Sequence, residues 1–193
     1  MEKTDNWMVM LGTGIMLISL VGSALGGLPE PRRPDIPDGG GTFHIMSEKK
    51  TDTGTGQENS EKEHGMSVCV TNLVTFSVTL TWQDEPANRP GLTNQPDELG
   101  LSVASPAGET KSDKKSASQG SVTLDFAFPV TEKTAASKAS KAGQGPWTIT
   151  VEIGVCGDQT PLIPGPFRTV ADAGNAYTVE ISYTYYMKSA GGM

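Results

Sequence analysis

Among 193 residues there are two cysteines, two histidines and fewer basic than acidic side chains. Each scarcity closes a class of function. Two cysteines exclude a disulfide-dense scaffold, and without CxxC or Cys/His spacing they exclude a zinc finger or ribbon. The histidines, His44 and His64, both fall in a polar stretch that reads as linker. There no packed scaffold would hold an imidazole against a Ser or Cys nucleophile. Lys and Arg number 15 against 22 Asp and Glu, for a net charge of -7. With a pI near 4.8 the chain lacks the basic patch that a phosphate backbone needs, so nucleic acid is not an expected partner. A glycine-rich phosphate loop, GxSxG and HExxH are absent as well. An enzyme is not expected.

Long apolar runs are also scarce, and the single one dominates the chain. Trp7 to Leu28, WMVMLGTGIMLISLVGSALGGL, is 22 residues without an ionisable side chain. At about 1.5 Å per residue, a helix of that length covers the roughly 30 Å bilayer core. A cleaved signal peptide would want a basic start, but Glu2 and Asp5 offset Lys3, and the run is long for a signal core. A buried core helix would need a helical partner that the later sequence does not offer. The run therefore reads as an uncleaved anchor in a lipid bilayer, with Trp7 at the interface. Gly22 and Gly26 form a small-xxx-small pair suited to helix packing. Lys and Arg counts on the two flanks leave the orientation nearly balanced.

Residues 29–65 read as linker. Pro29, Pro31, Pro34 and Pro37 stiffen the start and Gly39-Gly40-Gly41 loosens it. Thr42–Met46 is a short apolar island suited to an edge strand, and Ser47–Gly65 has almost nothing to bury and is expected to be disordered. From Met66 the pattern turns to period two. Phe76, Val78, Leu80 and Trp82 alternate with polar residues, as do Leu99, Leu101 and Val103, and Val122, Leu124, Phe126 and Phe128. Trp147–Val155 and Tyr177–Tyr185 add two more strands, and Ser67–Val70 a short one. Lys111–Ser118 reads as a charged hairpin tip. Ala135–Ala142 has helical propensity but no apolar stripe, so it reads as a mobile loop or one exposed turn. The expected fold is all-β, an antiparallel β-sandwich of jelly-roll type preceded by one transmembrane helix and a disordered linker. The domains are then anchor 1–28, linker 29–65, sandwich 66–187 and tail 188–193.

Alternation puts Cys69 and Cys156 on the faces opposite their valine neighbours. If their strands are neighbours, a Cys69–Cys156 disulfide follows, which would favour an oxidising, extracytoplasmic compartment. Tyr183, Tyr185 and Tyr186 are either an aromatic platform or, more simply, core caps with Tyr186 on the surface.

The run from Leu80 to Glu109 resembles the jelly-roll sandwiches appended to secreted subtilisin-like proteases. These are the proprotein-convertase P domain and the bacterial pre-peptidase C-terminal domain. The residues that carry the resemblance are Trp82-Gln83-Asp84, Asp97-Glu98-Leu99-Gly100-Leu101-Ser102-Val103 and Pro106-Ala107-Gly108. Gly145–Val151 is similar to their Gly-x-Trp-x-Val-x-Val strand. The resemblance spans about 100 residues and departs where Gly100 stands for the second aspartate of Asp-Leu-Asp. Some such modules bind calcium through this region. Asp84, Glu85, Asn94, Asp97 and Glu98 crowd one loop with hard oxygen donors, which makes them a candidate calcium site. A hydrolase acid/base pair among them is disfavoured, because nothing places one in an apolar pocket. The expected function is a membrane-anchored extracytoplasmic binding or accessory module contacting an envelope protein or surface ligand. The alternative is a pilin-like filament subunit or a small subunit of a membrane complex.

Overall fold

The computed structural model describes residues 42–189, apart from 86, 88, 89, 164–167 and 173. The Trp7–Leu28 run with Gly22 and Gly26, the linker up to residue 41, and residues 190–193 lie outside the described residues. Among the described residues no helix is long and apolar enough to cross a membrane.

Among the described residues ten strands and one short helix follow in order: β1 Phe43–Gly56, β2 Ser60–Val68, β3 Leu73–Gln83, β4 Leu92–Asn94 and β5 Asp97–Ala104. After them come β6 Thr110–Ala117, β7 Gln119–Ala127, α1 Glu132–Ser137, β8 Gly145–Val155, β9 Gln159–Pro161 and β10 Asn175–Lys188. Two four-stranded antiparallel sheets, ordered β1-β10-β3-β7 and β2-β8-β5-β6, face each other, and β4-β9 form a small two-stranded sheet. The antiparallel β-sandwich expected from the alternation is present. Its core is made of the inward rows that the period-two pattern marks: Phe76, Val78, Leu80 and Trp82 meet Trp147, Ile149, Val151 and Ile153.

Trp147 is the centre of that core. Its indole stacks on Phe76 at 3.8 Å between centroids and takes the edge of Phe126 at 5.0 Å. The indole N–H donates to the Gly143 carbonyl at 2.9 Å, so burying the ring leaves no donor unpaired. Gly120 is a glycine because the Trp82 ring lies where its Cβ would be.

The sandwich begins earlier than the sequence suggests. Residues 47–65, expected to be disordered, lie largely within β1 and β2. β1 pairs with β10 along its whole length, from Phe43 opposite Lys188 to Gly56 opposite Asn175. Its side chains are nearly all exposed, so it is held by backbone hydrogen bonds and leaves little apolar signature. At Gly54 the Tyr177 ring occupies the Cβ position, a close approach that only glycine permits. The edge strand read at Thr42–Met46 is therefore the first third of a longer one.

Two smaller readings also change. Lys111–Ser118 is not a hairpin tip but falls largely in edge strand β6, whose exposed Lys114 and Lys115 discourage pairing with another sheet. Within 135–142, Ala135 is buried in α1, which Thr131 caps in a reciprocal box with Thr134.

The proposed Cys69–Cys156 bridge is not formed: both cysteines are free, Cys69 exposed and Cys156 buried. β2 and β8 are neighbours, as the bridge required. Their register, however, sets Val68 opposite Gly145, so Cys69 and Cys156 lie beyond opposite ends of β8. At about 3.3 Å per residue that separates them by roughly 40 Å, far beyond disulfide reach. A register shift at Glu98/Leu99 also turns Val155 outward and Cys156 inward, against the alternation.

Replacing Trp147 by alanine should cost about 3–5 kcal/mol and lower the urea midpoint accordingly, with the slope unchanged. Maleimide should label one thiol, Cys69, in the native unreduced protein and two after denaturation. Zero thiols after non-reducing denaturation would mean the cysteines are bridged.

Candidate metal centre

At one end of the sandwich, chain segments distant in sequence bring three carboxylates together. Asp84 leaves β3, fixed by its backbone N–H donating to the Ser118 carbonyl at 2.8 Å. Asp97 opens β5, and its Oδ1 accepts the Gly157 N–H at 2.8 Å. Asp172 precedes β10, its Oδ1 accepting from the Gly174 N–H at 3.1 Å. One oxygen from each lies within 4.8 Å of the others.

Asn94 on β4 braces the group, donating from Nδ2 to Asp84 Oδ1 at 2.8 Å and to the Glu85 backbone carbonyl. Asn175, the first residue of β10, donates from its Nδ2 to Cys156 Sγ at 3.4 Å. What these bonds leave over is informative. Asp84 Oδ2, Asp97 Oδ2, Asn94 Oδ1 and Asn175 Oδ1 are buried without a hydrogen-bond partner. Asp97 is 0% exposed and Asp84 9%. Among the described residues no Lys or Arg pairs with any of the three aspartates. Burial pushes the Asp84 carboxyl up, the negative charge of Asp97 adds to it, and the Asn94 bond partly offsets both. Burial likewise pushes the Cys156 thiol up, to about 11. An array of oxygen acceptors with surplus negative charge can hold a proton or a hard cation. It contains no activated nucleophile.

Of the five residues read from the sequence, Asp84 and Asp97 are brought together and Asn94 supports them. Glu85 is exposed and contributes its backbone carbonyl. Glu98 points to the outer face, where it pairs with Lys114 at 3.1 Å. Gly100 faces outward too, with the Glu152 carboxylate 3.3 Å from its Cβ position, so the departure from Asp-Leu-Asp does not remove a residue from the cluster. Asp172 escaped the sequence reading. Its one signal is the polar Asp-x-Gly-Asn turn before the last strand.

Two other polar groups involve the segment expected to be linker. His64 is not loose: it sits on β2 with its side chain 13% exposed. Its Nδ1 is 3.0 Å from Asp52 Oδ2 and its Nε2 3.0 Å from the Tyr177 hydroxyl. The bond to His64 holds the Asp52 carboxyl below its ordinary range. This chain ties β1, β2 and β10, and so links an edge of each large sheet. Tyr183 and Tyr185 both donate to the Glu48 carboxylate, which keeps it low, and burial with the same bond pushes Tyr183 up to about 12. Both rings are buried, so they cap the core instead of forming a platform.

No family model matches this chain, and no curated protein matches it. Among solved structures, the mitogen derived from Yersinia pseudotuberculosis is similar at a TM-score of 0.36 and 9% identity, over 77% of this chain and 91% of that one. TmCBM61 in complex with β-1,4-galactotriose gives 0.31 and 9%, over 76% and 88%. Desmodium yellow mottle tymovirus gives 0.33 and 10%, over 85% and 98%. These are likenesses of all-β sandwich architecture. None of the three is a P domain or a pre-peptidase domain.

Because its folded pKa is raised, Asp84 favours the fold below the ordinary carboxylate pKa, and that contribution is lost as pH rises through the raised value. In the presence of a chelator, Asp84→Asn should therefore melt higher than the parent at pH 7, with the gain gone by about pH 3. A pH-independent difference would contradict the repulsion described above.

Proposed function

We propose that the chain is a membrane-tethered, non-enzymatic binding or accessory module that presents its sandwich on the extracytoplasmic side. Attachment follows from the charge-free run Trp7–Leu28. The observation that carries the binding reading is the cluster of Asp84, Asp97 and Asp172, an oxygen-only array with unpartnered buried atoms. Such an array holds a ligand without transforming it. A role beside a protease, as the P-domain resemblance implies, falls under this reading, with an envelope protein as partner. The free thiols remove the disulfide as an argument for export. A hard-oxygen cluster suits an exterior rich in divalent cations, and it supports the same side.

Cys69 supplies a direct test, since it is exposed while Cys156 is buried. A membrane-impermeant maleimide should label Cys69 in intact cells, and the full-length protein should stay with membranes through carbonate extraction. Labelling only after lysis, or recovery in the carbonate supernatant, would overturn the proposal.

A further inference from the structure

The three aspartates converge from β3, β5 and the segment before β10. Their ligand oxygens lie within 4.8 Å of one another, a span that two metal–oxygen bonds of about 2.3–2.6 Å can bridge. Buried carboxylates normally have a counter-charge or several hydrogen bonds, because an uncompensated one is costly. Asp97 has full burial, one backbone donor on Oδ1 and nothing on Oδ2. Asp84, 9% exposed, has the Asn94 amide on Oδ1 and likewise nothing on Oδ2. Asn94 turns its Nδ2 to Asp84 and leaves its Oδ1 without a donor. These atoms share one chemistry: each is an acceptor without a donor.

We propose that Asp84, Asp97 and Asp172 hold a calcium ion that closes this end of the sandwich, with the weak affinity of extracellular calcium modules. The donor set selects the metal. Zinc favours nitrogen and sulfur, and the three ligands offer neither. Magnesium demands near-ideal octahedral geometry and keeps much of its water. Calcium accepts six to eight irregular oxygens, which the three carboxylates, asparagine oxygens and water supply. The affinity class follows from charge and rigidity. Three carboxylates are a modest count, and Asp172 lies outside any strand with one backbone donor on Oδ1. Such sites have dissociation constants of about 10⁻⁴–10⁻³ M, so they fill outside a cell and stay empty in the cytosol. That compartment clause rests on the extracytoplasmic reading above; the ion itself does not.

The test uses the full-length chain in detergent. Terbium luminescence, sensitised through Trp82 two residues from Asp84, should appear and be competed by calcium with a midpoint of about 0.1–1 mM. Magnesium should compete at least about tenfold more weakly. Calcium at 10 mM should raise the melting temperature by about 5–15 °C over chelator. Asp97→Asn and Asp172→Asn should each lose both responses, while in chelator they melt at or above the parent, because one of three repelling charges is gone. Glu85→Gln, outside the cluster, should behave as the parent does. Absence of terbium emission together with absence of a calcium shift overturns the proposal. So does an Asp172→Asn variant equally destabilised with and without calcium, which would make Asp172 a purely structural residue. A calcium midpoint below about 1 µM overturns the affinity class. Millimolar binding combined with Cys69 labelled only after lysis would sink the extracytoplasmic placement and leave the ion standing.

Discussion

The register between the two large sheets is the constraint on which the rest depends. Phe76 on β3 and Trp147 on β8 stack across the interior, one from each sheet. That contact fixes which residue of each strand faces inward, and so where every strand ends. The strand ends determine what the loops bring together. Asp84 lies just beyond the end of β3 and Asp97 at the first position of β5, so the core packing positions them. A one-residue slip in either strand would turn the carboxylates away together with the apolar row.

Charge is managed differently at different places on the sandwich. On the outer faces, acids are paired: Lys49 with Glu180, Lys114 with Glu98 and Lys111 with Glu109. Along the seam of β1, β2 and β10 they are tied into short hydrogen-bond chains, Asp52–His64–Tyr177 and Glu48 with Tyr183 and Tyr185. At the end formed by Asp84, Asp97 and Asp172 no cation pairs with them among the described residues, and Asp84 and Asp97 accept hydrogen bonds on one oxygen only. Surface pairs contribute little to stability, whereas a buried unbalanced charge is felt strongly, so this end dominates the electrostatics.

The strands β3, β5, β7, β8 and β10 were legible because each buries one face and alternates apolar with polar residues. β1 was legible only at Phe43–Met46, since the rest contributes a row of backbone hydrogen bonds to β10, which any sequence can make. Beyond that, Thr51, Thr53 and Thr55, with Gly54 between them and Gly56 after, were its local trace. His64 shared the fate of its strand: His64, Met66 and Val68 alternate inward, but the charged residues around them masked the period. For the cysteines, the strands beside them are neighbours, the condition that the bridge needed, but the offset along those strands parts the thiols.

By itself, the sequence determined the class of architecture, the identity of most of the core, and two of the three carboxylates. These follow from local periodicity and from residues close together along the chain. The tertiary structure alone decided the third carboxylate, the separation of the thiols and the anchoring of His64. Each of those depends on the register between strands remote in sequence. Register is set by packing across the whole interior, which no local window of residues contains.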